Sequence, residues 1–147
     1  MPAASQLDSG QFREFFSGDK YAEKTGVVID DVSLECVQCS MDITPGHLNA
    51  NGVVQGGAIF TLADLAFAVH CNIEHILGED VGVSVGQSCY VSYLKPAAGK
   101  RLIAKSSCLS KGRTMSVYRV TVADDCGAPI AEFIGNAFRT PSKPKQA

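Results

Sequence analysis

The 147-residue sequence has little net charge, no basic leader, no long apolar run and no full set of metal ligands, and each lack excludes a class of function. Thirteen Lys and Arg stand against fifteen Asp and Glu, a net charge of -2, so there is no electrostatic footprint for nucleic acid. The first residues, MPAASQLDSGQFREFF, carry neither the basic start nor the apolar core of a secretion signal. The longest mostly apolar stretch, Ala58 to Val69, is interrupted by Asp64 and falls far short of the ~20 residues of a membrane span. These lacks predict a soluble, cytoplasmic protein with no membrane or nucleic-acid partner. Six cysteines are scattered at 36, 39, 71, 89, 108 and 126, and only Cys36 and Cys39 form a CxxC. A structural zinc needs four ligands, so the expectation is no metal and reduced, mostly buried thiols.

What is present suits one globular domain: 46% apolar and 19% charged residues, in a chain long enough to bury roughly 68–70% of its unfolded surface. Ser9 is a candidate cap for a short helix to about Phe16, with Phe12, Phe15 and Phe16 on its apolar side and Gly18 as its stop. From Val27 to Ile43 apolar and polar residues alternate, but the parity switches between Cys36 and Val37, which predicts a bulge or a change of buried face. After the breaker Thr44-Pro45-Gly46, residues from Gly56 to about Ile76 read as one long helix, apolar on nearly all sides and hence buried. Four strand-like stretches follow, Val81 to Leu94, Arg101 to Ser110, Thr114 to Ala123 and Pro129 to Arg139, separated by turn-forming residues. The order predicts an α+β domain in which an antiparallel sheet curls round one helix. The division expected is 1–24 as an N-terminal helical segment, 25–140 as the domain and 141–147 as a disordered tail with two prolines and two lysines.

Two features of the long helix point to chemistry. Asp64 lies among Phe60, Leu62, Ala63, Leu65, Ala66 and Phe67, where an unpaired carboxylate costs several kcal/mol, so it must be hydrogen-bonded, at an interface or functional. Upstream, Gln55-Gly56-Gly57 sits where a loop enters the helix. The first N–H groups of a helix are unpaired and carry the positive end of its dipole, so they suit a carbonyl oxygen that becomes negative during a reaction. The plainer reading of each feature is structural: an Asp satisfied by a neighbour, and a glycine pair that lets the helix begin.

The run His47-Leu48-Asn49-Ala50-Asn51-Gly52-Val53-Val54-Gln55-Gly56-Gly57, then six residues, then Asp64, resembles the pattern H-x-N-x-x-G-x-x-H-G-G-x6-D of the phenylacetate-type hotdog thioesterases. Tyr93-Leu94-Lys95-Pro96 is similar to that family's aromatic-hydrophobic-x-Pro, and Phe133 to Arg139 to its last strand, so the resemblance spans roughly 25–140. It implies the hotdog fold, an antiparallel sheet wrapped around one central helix, and a homo-oligomer, dimer or tetramer, with active sites at the dimer interface. The implied activity is hydrolysis of an acyl- or aryl-CoA thioester, with coenzyme A entering as part of the substrate and no cofactor. Carried onto this sequence, Asp64 is the general base or nucleophile, the Gly56 N–H polarises the thioester carbonyl, and Asn49 positions water or thioester. Asp64 would act on a substrate held by Asn49 and Gly56 of another chain.

Gln55 departs from the pattern's His; it can donate and accept hydrogen bonds but cannot titrate, and is expected to bind the carbonyl. The strand position that orients water in some members falls near Gly86 and Gln87, between Ser84 and Ser88, and has no assignment here. His47, Gly57, Lys95 and Arg113 are the candidates for holding substrate, the last two because CoA phosphates need cations at the pocket mouth. A non-catalytic acyl-CoA binding module and, behind it, a hydratase or dehydratase using His47 with Asp64 are the alternatives. His70 and His75 are read as packed or dimer-facing and are left out of the site.

Overall fold

The computed structural model describes residues 5–144; of the expected disordered tail, residues 145–147 lie outside the described residues. The chain begins with α1 (Ser9–Phe15) and, after a 3-10 turn, α2 (Lys20–Thr25). Asp8 caps α1, accepting from the Gly10 N–H, so the expected cap at Ser9 is off by one residue. Phe12 is fully buried beneath it, whereas Phe15 is 47% exposed. The second helix is missing from the sequence expectation. Asp19 caps its start and Gly26, at φ +87°, closes its end with N–H bonds to Ala22 and Glu23.

The alternating stretch after Gly26 is two strands, β1 (Val27–Val32) and β2 (Val37–Asp42), paired as an antiparallel hairpin. The parity switch is the hairpin's turn, which corrects the expectation of a single strand. Ser33 Oγ holds that turn, accepting from the Cys36 N–H and donating to the Cys36 carbonyl. Next comes α3 (Gly56–Cys71), broken at Asn72 from the short α4 (Ile73–Ile76). Asn72 turns outward from the helix to bond both main-chain groups of Ser84, which fixes the start of the next strand. Four long strands complete the chain: β3 (Ser84–Tyr93), β4 (Arg101–Lys111), β5 (Met115–Asp124) and β6 (Pro129–Arg139).

All six strands form one antiparallel sheet in the order β1-β2-β4-β5-β6-β3. The helix α3 crosses its inner face, chiefly over β2, β4 and β5. Leu62, Ala66, Phe67 and Val69 of the helix meet Val37, Leu102, Val120 and Phe133 in one core, and the sheet wrapped round one long helix is the hotdog arrangement. The Phe67 ring passes so close to Gly135 that a Cβ there would lie 2.9 Å from it, and a Cβ on Gly86 would lie 3.3 Å away.

Among the described residues, two exposed surfaces lie side by side with the helix start. The edge strand β3 is exposed along most of its length, on both faces. A stripe down α3, Gly57, Phe60, Thr61, Asp64 and Ala68, is exposed or half-buried. The helix is therefore apolar all round without being buried all round. Among the cysteines, Cys39 and Cys71 are buried and Cys36 half-buried, but Cys89, Cys108 and Cys126 are exposed, so burial of most thiols does not hold. No helix of the described residues is long and apolar enough to cross a membrane.

Candidate active site

The loop before α3 is built to present the helix start. Asn49 Oδ1 accepts from the Asn51 and Val53 N–H groups at 2.9 and 3.3 Å, and the Asn49 N–H donates to the Val53 carbonyl. This closes a tight turn in which Gly52 takes φ +76°. His47 anchors the other side: its Nδ1 accepts from the Thr44 N–H at 3.0 Å, which leaves the proton on Nε2 to donate to the Thr25 carbonyl at 2.6 Å. Both ring nitrogens are thus engaged, Nδ1 within the loop and Nε2 in joining it to the end of α2. The His47 carbonyl in turn receives the Gln55 N–H at 2.8 Å.

Gln55 is the helix cap. Its carbonyl accepts from Ala58 and Ile59, and its Oε1 accepts from the Gly57 N–H at 2.5 Å. That contact fixes the amide with Oε1 inward, leaving the two Nε2 protons as donors. The Gly56 N–H makes no hydrogen bond among the described residues. On the far side of Gly56, the Tyr93 hydroxyl donates to the Gly56 carbonyl at 3.0 Å, and its ring leaves no room for a side chain: a Cβ would lie 3.0 Å from Cζ.

The expected site residues divide into three places. A groove of about 400 Å³ gathers Asn49, Gly56 and Lys95 with Val54, Ile59 and Tyr93. A second, of about 470 Å³, lies across the helix start and holds His47, Gln55 and Gly57 with Thr61. Asp64 lines neither; it projects from the open stripe of α3, and Arg113 sits in the β4–β5 turn at the opposite end of the sheet from Lys95. At the helical rise of about 1.5 Å per residue, the eight steps from Gly56 to Asp64 amount to about 12 Å. Within one chain these two groups cannot meet on the same carbonyl. Tyr93, singled out in the sequence only as the aromatic of a motif, reaches Gly56 with its hydroxyl from 37 residues away, a contact that spacing does not give.

The Asp64 carboxyl is pushed above the ordinary carboxylate range, mainly by its desolvated surroundings and further by the negative charge of Asp19. Cys89, on the inner face of β3, feels the Asp64 charge in turn. His70, by contrast, is a core residue: Nδ1 meets Ser106 Oγ at 2.7 Å and Nε2 meets the Leu34 carbonyl at 3.0 Å. Among the described residues, no group of three or more His, Cys, Asp or Glu side chains is placed to hold a metal ion.

The profile of the thioesterase superfamily matches residues 51–130, from the loop that presents Gly56 to the start of β6. The chain belongs to the thioesterase superfamily. Its chemistry is thioester hydrolysis. It is 34% identical over 121 residues to a Deinococcus radiodurans protein provisionally named an esterase, covering 81% of this chain and 78% of that one. It is 27% identical over 125 residues to the acyl-coenzyme A thioesterase PaaI of Escherichia coli, covering 84% and 85%. The solved structure of the E. coli PaaI protein, from the phenylacetic acid degradation operon, shares the fold with a TM-score of 0.81 at 24% identity, over 91% of this chain and 94% of that chain.

Proposed function

We propose that this protein hydrolyses an acyl- or aryl-CoA thioester to a carboxylate and free coenzyme A, at a site shared by two copies of the chain. The carrying observation is the unpaired Gly56 N–H at the positive end of α3, with the Asp64 carboxyl, its proton affinity raised, on the open stripe of the same helix. The thioester oxygen is held by the Gly56 N–H and by the Gln55 Nε2 protons. As the carbonyl becomes tetrahedral its oxygen gains charge, and these donors are preorganised for that charge. Asp64 either takes a proton from the attacking water, the tetrahedral species then expelling the coenzyme A thiolate, or attacks the carbonyl itself and displaces that thiolate, forming an anhydride that water then cleaves. Its raised proton affinity suits the first role in particular, because a base works best when its pKa approaches the working pH.

The spacing supports a shared site. Asp64 and Gly56 of one chain are too far apart along α3 to act together, and the open β3 edge and open α3 stripe form a self-complementary surface of the kind used by two-fold dimers. Antiparallel pairing of two β3 edges would bring the Ser84 end of one strand, near which Arg113 lies, to the Tyr93 end of the other. Arg113 of one chain and Lys95 of the next then flank one groove mouth, in reach of the phosphates of coenzyme A.

The similarity to an acyl-coenzyme A thioesterase favours CoA as the carrier. The purified protein is to be assayed with a panel of aryl-CoA and straight-chain acyl-CoA thioesters, with free thiol as the readout. Thiol release from at least one thioester supports the proposal. Tight coenzyme A binding without release from any of them would instead make this an acyl-CoA binding module.

A further inference from the structure

The peptide between Gly56 and Gly57 is tied at both ends by side chains from different parts of the chain. Its carbonyl accepts from the Tyr93 hydroxyl at 3.0 Å, and its N–H donates to Gln55 Oε1 at 2.5 Å. An N-cap side chain commonly takes up such an N–H; the hydroxyl from a distant strand on the carbonyl is the added restraint. The adjoining peptide supplies the Gly56 N–H that remains unpaired. Tyr93 also limits Gly56 sterically, since its ring atoms lie 3.0 to 3.3 Å from where a Cβ would be. The ring belongs to the last residue of β3, a strand held along its length by β6, so this restraint comes from the sheet and not from the loop.

We infer that Tyr93 is a positioning residue for thioester hydrolysis: with Gln55 it clamps the Gly56–Gly57 peptide, which holds the Gly56 N–H in the direction of the developing oxyanion. This rests on the function proposed above. Tyr93 is not required to touch the reacting atoms. An oxyanion donor is effective only if it needs no reorientation as charge develops, so a loosened clamp weakens the transition state more than the bound substrate.

Tyr93→Phe keeps the ring and removes the hydroxyl. The expected result is a fall in kcat of about tenfold with KM unchanged, and an unfolding midpoint close to wild type. Gln55→Ala and the double variant complete a cycle; because both side chains hold one peptide, their effects on kcat are expected to be less than multiplicative. The Gly57 amide gives a readout that does not depend on turnover. In Tyr93→Phe its hydrogen exchange is expected to speed up relative to wild type while amides in the middle of α3 are unchanged. Unaltered kcat, a change confined to KM, or unaltered Gly57 exchange in Tyr93→Phe would overturn the inference. A wild-type protein that releases thiol from no thioester would instead defeat the proposed function, with the amide exchange still deciding whether the clamp exists.

Discussion

Asp64 is the residue on which activity and stability are expected to pull in opposite directions. Replacing it with Asn keeps its shape and removes the charge, and thiol release is expected to drop at least ~100-fold. Full activity in Asp64→Asn would mean that the carboxylate is structural. The sign of the stability effect follows from the raised pKa. A carboxyl that holds its proton more tightly folded than unfolded favours the fold below its unfolded pKa, and that contribution is lost as pH rises through the folded value. At neutral pH the ionised Asp64 is therefore a burden, and Asp64→Asn is expected to melt higher than wild type. The difference should close as pH falls toward 3.8, the ordinary carboxyl value. Melting curves from pH 3.5 to 7.5 check this, and a variant less stable than wild type at pH 7 would refute it. The same shift places the acid limb of the pH–rate profile above the range of an ordinary Asp. Much of this was legible in the sequence, since a lone Asp inside an apolar helix already demands an explanation.

At the level of elements, the strands after α3 were easy to foresee because each alternates in polarity between clear breakers, such as Lys111-Gly112 and Asp124 to Gly127. The β1–β2 hairpin was not, because its turn, Ser33-Leu34-Glu35-Cys36, has no Gly, Pro, Asn or Asp and is closed by a single serine hydroxyl. The helix α2 had its signals, Asp19 before and Gly26 after, but six residues are too few for periodicity to register. How α3 seats on the sheet was also hidden, because it depends on glycines in strands: Phe67 lies against Gly135, far away in sequence. Gly135→Ala would press a methyl group to within 3 Å of Phe67 and Phe133, both fully enclosed. The expected cost is about 1–3 kcal/mol, read as a lower urea midpoint with unchanged slope. A midpoint equal to wild type would show that the helix shifts freely.

For the molecule as a whole, the motif residues could be read from the sequence but their division between chains could not be measured there. If the site is shared as proposed, Asp64→Asn and Gln55→Ala each impair a different half of it, so a mixture allowed to exchange subunits contains hybrid pairs with one site wholly intact. Equal amounts of the two impaired variants are expected to regain roughly a quarter of wild-type activity above their own residual rates, half of the pairs being hybrids with one working site of two. No recovery after exchange, verified by a tagged chain, would place each site within a single chain. The exposed edge of β3 has one more consequence. If the β3 edge joins two chains, catalytic capacity belongs to an equilibrium and not to a molecule, and dilution itself becomes an inhibitor. Specific activity per chain would fall below a threshold concentration, while substrate, by bridging both halves, would shift that threshold downward through mass action.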